Sequence, residues 1–224
     1  NSLLGIVFPV IVISLSPVYG IYYAIIMSAS KKKFAESSDG RRLRSVRSRK
    51  NIVDALIELV NAGTLVPTAQ QIADQAGVGI RTVFRHFSDM ESMFAAADAE
   101  KRRSYEELFS GGNREGSLQE RIQRAVEHRA RAYETTKNEI VSTHAQRWRY
   151  EFLRKNYAGY VRGLRKDLED WLPELKGLEK HAREGVDALA SFEMWHRLRE
   201  YQGLSKRMSS EVIVRMISQQ LDGY

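Results

Sequence analysis

The sequence predicts an all-α protein: a small three-helix domain near the N-terminus and a larger helical domain after it. Three observations predict this class. Beyond the first forty residues only Pro67 and Pro173 interrupt the chain. Apolar residues there recur at i, i+3, i+4 and i+7 within segments laced with charge, the period of amphipathic helices. Finally, the pairs Thr68/Gln71, Ser88/Glu91 and Ser117/Glu120 fit the capping box, in which a hydroxyl accepts from a free backbone N–H and the longer side chain reaches back. No convincing strand follows residue 30. The absence of Cys excludes disulfides and thiolate metal sites.

The chain opens on "SLLGIVFPVIVISLSPVYGIYYAIIM", Ser2 to Met27, without a charged residue. A run this long is ordinarily a candidate membrane span. Pro9, Pro17, Gly5 and Gly20 make it a poor uninterrupted helix, and it lacks the basic start of a signal peptide. Met27 opens "MSASKKK", a natural start for a basic arm. The expectation is that residues 1–26 are upstream sequence outside the functional protein, so a membrane partner is not expected. The alternative is a true anchor, with Lys31 to Lys33 holding the helical domains on the cytoplasmic side. Residues 28–44 read as a flexible basic arm. Residues 45–92 form the small helical domain and residues 93–224 the larger one.

Charge is concentrated rather than spread. Lys31 to Lys50 hold nine bases and two acids, which accounts for the whole net charge of +7. Such a segment attracts a polyanion, or is a solvated tail. Arg44, Arg47 and Lys50 are its members nearest the small domain. There Val53, Leu56, Ile57 and Val60 stripe a first helix, widened by Ile52 and Leu59, and Gly63 stops it. A short helix follows over 68–76, Gly77 turns the chain, and a second short helix starts near Gly79. That is a helix-turn-helix. Ala73 is small where two helices cross. Gly77 sits where the turn needs a positive φ. Ile72, Ala76, Val78, Val83 and Phe87 supply a small core.

The second short helix then presents Ile80, Arg81, Thr82, Phe84, Arg85 and His86. Arg reads guanine edges or grips phosphate, Thr meets phosphate or a thymine methyl, and His donates to phosphate. An ordinary helical hairpin in a bundle has the same spacing. The capping boxes, the basic arm and the two arginines favour double-stranded DNA.

The stretch "TAQQIADQAGVGIRTVFRHFSDMESMF" resembles the DNA-binding region of the TetR family of bacterial transcriptional regulators, from Arg44 to Ala97. The resemblance implies a cytoplasmic, all-helical homodimer on a palindromic operator. Its larger C-terminal domain would take a small-molecule effector and dimerise through the last two long helices. By position it makes Thr68, Gly79, Arg81, Thr82, Phe84, Arg85 and His86 the expected DNA contacts. Three residues depart from the family pattern. Gly79 stands where Ser or Thr is usual, Phe84 where Tyr is usual, and Met90 where Lys is usual. Each removes a phosphate partner, which the basic arm is expected to offset.

Beyond residue 90 the pattern predicts a helix from Met90 to about Leu108, a break at "SGGNREG", and a helix from Ser117 to about Lys137. Further helices are expected from Glu139 to near Trp171, from Glu179 to Tyr201, and from Lys206 to Leu221 with Ser205 as N-cap. Val186, Leu189 and Leu198 stripe one of these, and Met208, Val212 and Met216 the last. Either they meet a second copy in a four-helix interface or they pack within the chain. Tyr133, His144, Trp148, Phe152, Tyr157, Trp171, Phe192 and Trp195 are candidates for an apolar effector pocket, or are core.

No catalytic constellation emerges. The chain has no G-x-S-x-G, Walker A or H-E-x-x-H motif, and the E-x-x-H at Glu193/His196 has no second copy. No enzyme activity, cofactor or metal is expected. The sequence therefore reads as a ligand-responsive DNA-binding repressor. The alternatives are a DNA-binding adaptor that carries a protein partner, or a membrane-anchored regulator.

Overall fold

The computed structural model describes residues 40–222, and these form helices, turns and loops alone. The apolar run and residues 28–39 of the basic arm fall outside the described residues, and so do the expectations placed on them. The chain divides into a unit of residues 1–48 and a unit of residues 49–224. In the first, residues 40–48 are helical and Arg44 Nε donates to the Gly40 carbonyl at 3.1 Å.

In the second unit, residues 49–61 form α1. Its apolar stripe buries Ile52, Val53, Ala55, Leu56 and Val60. The helix ends where Gly63 adopts φ 96°. Helix α2 (Ala69–Gln75) opens on the Thr68/Gln71 box: Gln71 N–H donates to Thr68 Oγ1 at 3.2 Å, and Thr68 N–H to Gln71 Oε1 at 2.9 Å. Its end has the 6→1 and 5→2 bond pattern of a Schellman motif. Val78 N–H donates to the Ala73 carbonyl at 3.0 Å and Gly77 N–H to the Asp74 carbonyl at 3.2 Å, with Gly77 at φ 64°. Helix α3 (Ile80–His86) comes at once. Ile72, Ala73, Val83 and Phe87 close this small core against α1 and against Met93 and Phe94 of α4 (Met90–Phe109).

The start of α4 corrects an expectation. Its box is Asp89/Ser92, not Ser88/Glu91: Ser92 N–H donates to the Asp89 carboxylate at 2.8 Å. A carboxylate is the stronger acceptor at a helix N-terminus, and Ser88 spends its hydroxyl on that same carboxylate at 3.1 Å. Glu91 is left free for another partner.

Helix α5 (Leu118–Gln146) opens on the expected Ser117/Glu120 box but does not stop near Lys137. The run "TTKN" reads as a helix end because β-branched residues and Asn are weak helix formers. Here Thr135 and Thr136 donate to the carbonyls four residues back, each at 2.9 Å, and α5 continues. The helix expected from Glu139 therefore begins only at α6 (Glu151–Trp171). A 3-10 turn, Pro173–Gly177, leads to α7 (Lys180–Leu189). The segment expected as one helix to Tyr201 breaks at Ala190 and Ser191. Ser191 caps α8 (Phe192–His196), which runs on into one π-helical turn, Arg197–Tyr201. Helix α9 (Lys206–Leu221) has Ser205 as its N-cap, as read from the sequence.

Helix α5 is the axis of the larger core, with α6, α8 and α9 packed on it. Trp171, Ile122, Leu168, Val186 and Ile217 are among its fully buried members. At its edge Arg121 Nη1 reaches both the Trp171 carbonyl at 3.1 Å and the Glu174 carboxylate at 3.0 Å. The Arg121 hydrogen bond holds the Glu174 carboxyl below the usual carboxylate range. A depressed folded pKa stabilises the protein above the unfolded value, about 4.3, and the contribution is lost as pH falls through the folded one. Glu174→Gln is therefore expected to cost about 1 kcal/mol at neutral pH. In thermal melts the gap to wild type should close as the pH is lowered below about 4.

Candidate nucleic-acid interface and interior cavity

The surface of α3 is built by what the small core leaves out. Val83 and Phe87 point inward, which turns Ile80, Arg81, Phe84 and Arg85 outward; Phe84 is 51% exposed. Neither Arg81 nor Arg85 forms an ion pair or a side-chain hydrogen bond among the described residues. Thr82 and His86 are half-buried. Burial first, then Arg85 and Arg49, lower the His86 pKa. Gly79 is the N-cap of α3 and gives it no side-chain hydrogen bond. Thr68 is exposed, though its hydroxyl already serves the α2 capping box.

The bases read from the sequence divide. Lys50 is drawn to Asp54 at 2.9 Å and Glu100 at 3.8 Å, so its ammonium is partly neutralised. Arg47 and Arg44 are exposed in the smaller unit. Arg49 is a base that the sequence reading does not single out. It lies over the Phe87 ring at 4.7 Å, and with Arg85 it makes the C-terminal end of α3 electropositive. Its position one turn before Ile52 and Val53 is the signal in the sequence that points to it.

A helix with two unpaired arginines on its outer face, set by a Gly turn against a capped partner helix, is a major-groove reader in form. Residues 52–97 match the family model of bacterial regulatory proteins, tetR family. The chain carries the DNA-binding module of the tetR-family regulators. The fold beyond the module is also shared. A crystal structure of a transcriptional regulator from Rhodococcus sp. Rha1 superposes with a TM-score of 0.59 at 15% identity, over 80% of this chain and 96% of that one. At that identity the likeness is one of fold. No curated protein matches the sequence.

Behind the tetR-type module lies a cavity of about 900 Å³. Leu56, Ile57 and Val60 of α1 and Phe94 of α4 close one end, so the module's own helices form part of the wall. Aromatic rings and charged side chains share the rest. Tyr105 meets Tyr160 at 6.2 Å, Phe109 meets Tyr133 at 5.7 Å, and Tyr133 meets Phe192 at 5.6 Å. Burial raises the phenol pKa of Tyr105, Tyr157 and Tyr160, so these stay neutral hydroxyls. Asp98 ties α4 to α6: its carboxylate accepts from Asn156 and from Tyr160, each at 2.7 Å. Arg129, 3% exposed, lines the cavity with its guanidinium 3.3 Å from Asp167.

The pocket candidates read from the sequence divide over this lining. Tyr133, Phe152, Tyr157 and Phe192 line the cavity; Trp148, Trp171, Trp195 and His144 do not. Trp171 and Trp195 are 1% and 3% exposed and belong to the packed core, while Trp148 is 81% exposed at the α5–α6 turn. His144 sits behind the wall, edge-on to Tyr157 at 4.7 Å. Tyr105 and Phe109 on α4, and Tyr160 beside Tyr157 on α6, complete the wall, and of these four the sequence reading names only Tyr157. Their i, i+4 and i, i+3 spacings put each pair on one helix face.

The expected dimer stripe divides as well. Val186, Leu189 and Leu198 are 0%, 8% and 4% exposed and are spent inside the chain. A stripe records burial, not which chain supplies the partner. On α9, Met208 and Met216 are 41% and 39% exposed, with Val212 half-buried between them.

Hydrogen bonds join the module to the cavity wall. Ser142 Oγ and Gln146 Nε2 of α5 donate to the Leu65 carbonyl, between α1 and α2, at 2.7 and 3.0 Å. The Phe152 N–H at the start of α6 donates to the Glu91 carboxylate of α4 at 2.9 Å. Tyr150, the N-cap of α6, supplies no side-chain bond, so Glu91 caps that helix from outside. Among the described residues no helix is long and apolar enough to cross a membrane.

Proposed function

We propose that the chain is a ligand-responsive, non-enzymatic repressor that binds a palindromic operator as a cytoplasmic homodimer. The observation that carries this reading is the shared wall: the cavity is closed by α1 and α4, the helices that also hold α3 in place. A molecule that fills the cavity pushes on the frame of the reading helix. Two copies joined through the exposed face of α9 would present two α3 helices to successive major grooves, about 34 Å apart. An effector that prefers a dimer of different spacing shifts the population away from DNA. Arg81, Arg85 and Arg49 carry the phosphate and base contacts in this reading, and Ile80, Thr82 and Phe84 the apolar ones.

The test is selection of bound fragments from genomic DNA, footprinting of the selected site, and a screen for molecules that release it. Protection of a symmetric site and its release by a small molecule support the proposal. Protection of a single asymmetric half-site overturns the dimer. A protein that co-purifies, with no small molecule releasing DNA, would favour the adaptor reading.

The Glu91 cap gives a sharper check. Glu91→Gln keeps the α4 surface but weakens the charge-assisted bond to Phe152 N–H. Loss of such a cap costs about 1 kcal/mol, about fivefold in an equilibrium. Operator affinity should stay within about twofold of wild type, while the effector concentration for half-release should rise about fivefold. Equal shifts in both would show that Glu91 serves the fold alone.

A further inference from the structure

The cavity holds more carboxylate than its own bases neutralise. Three of its four bases are committed to carboxylates. Arg102 pairs with Asp98, and Arg114 and Arg129 share Asp167 at 2.8 and 3.3 Å. Lys101 lies over the Tyr105 ring at 5.6 Å. Of the other lining acids, Glu106 and Glu193 are exposed, and two half-buried ones are left. The Glu139 carboxylate has neither an ion pair nor a hydrogen bond among the described residues. Asp187 has only Arg165, at 4.0 Å, and Arg165 is itself bidentate on Glu184 at 2.8 and 2.6 Å. Burial raises the Asp187 carboxyl, as expected of an acid short of a partner.

Each leftover acid stands near a ring. After burial, the charge of Glu139 is the next largest cause of the raised Tyr105 phenol. The charge of Asp187 acts on Tyr133 in the same sense, behind burial, the opposing Arg129 and Glu193. Aromatic faces and unpaired carboxylates in one apolar chamber favour the same guest, because both attract positive charge. An anion of the same size would meet these acids, and Lys101 is the one base among the described lining residues without a carboxylate partner. We infer that the cavity binds a hydrophobic cation, an amine or onium centre carrying aromatic or aliphatic bulk, with Glu139 and Asp187 as its counter-ions. This rests on the cavity being the effector site proposed above.

Probes of one shape and different charge separate the possibilities. Calorimetric titration of the full chain with tetraphenylphosphonium, tetraphenylborate and neutral triphenylphosphine oxide, at high salt to mask the basic arm, should rank the phosphonium tightest. Glu139→Gln and Asp187→Asn should each weaken phosphonium binding about tenfold and leave the neutral probe unchanged. Unchanged operator binding by each variant certifies its fold. Equal or tighter binding of the borate or the oxide overturns the inference. So does absent phosphonium binding, or phosphonium binding that neither variant alters. Operator release is read separately. Phosphonium binding without release keeps the cation site and removes the effector role. Release by the borate alone keeps the effector role and removes the cation site.

Discussion

Alanine at both Arg81 and Arg85 is expected to weaken operator binding about 100-fold while leaving the melting temperature unchanged. Both guanidiniums are exposed on α3 and bond to nothing else among the described residues, so their removal strains no neighbour. Each good bidentate base contact contributes about 1–3 kcal/mol, and each phosphate contact adds about one unit to the salt slope. The two single variants separate these roles. A base reader relaxes specificity at one position of the site. A phosphate partner weakens all sequences alike and flattens the salt dependence. Fluorescence anisotropy on the selected operator, at several salt concentrations, distinguishes them. A double variant that binds within about threefold of wild type would move the DNA contact away from α3.

Alanine at Trp171 is expected to produce the largest loss of stability, about 4 kcal/mol, with a fall of ~10 °C in melting temperature. Trp171 is 1% exposed and is held on several sides. The His128 ring lies 5.9 Å away, the Arg114 guanidinium lies over its face at 5.2 Å, and its carbonyl anchors Arg121. Gly112, at φ 88°, lets the α4–α5 loop pass so close that a Cβ there would stand 2.6 Å from the indole. The ring is thus the floor on which that loop rests. Because it lies outside the small core, DNA affinity per folded molecule should not change. A fall of less than ~3 °C would mean that the loop collapses into the space left behind.

The reading module is legible because its signals are local. The Thr68 box, the Gly77 turn and the Ser205 cap each depend on residues within a few positions, and each stands where the sequence puts it. Failures come where a competing partner, near or distant, overrides the expected one. Ser88 and Glu91 fit a capping box, but Asp89 competes for the same N–H groups and Glu91 is engaged by α6. The "TTKN" segment looks like a helix end until its side chains find carbonyls on α5 and Asn138 finds the Asn61 carbonyl. Aromatic content points to the larger domain as the home of a cavity. Which rings line it, Tyr105 and Tyr160 rather than Trp171 and Trp195, is decided by how α4, α5 and α6 cross.

The latch between α5 and the α1–α2 loop bears on how related sequences should be compared. Its acceptor is the main-chain carbonyl of Leu65, whose own side chain is 36% exposed. Position 65 is therefore free to drift in residue type, whereas the donors, Ser142 and Gln146, are buried and fixed in chemistry. The constraint on this joint is inherited through two letters some eighty residues downstream. It is also inherited through the length of the loop, since an insertion there would carry the acceptor out of reach whatever residue it bears.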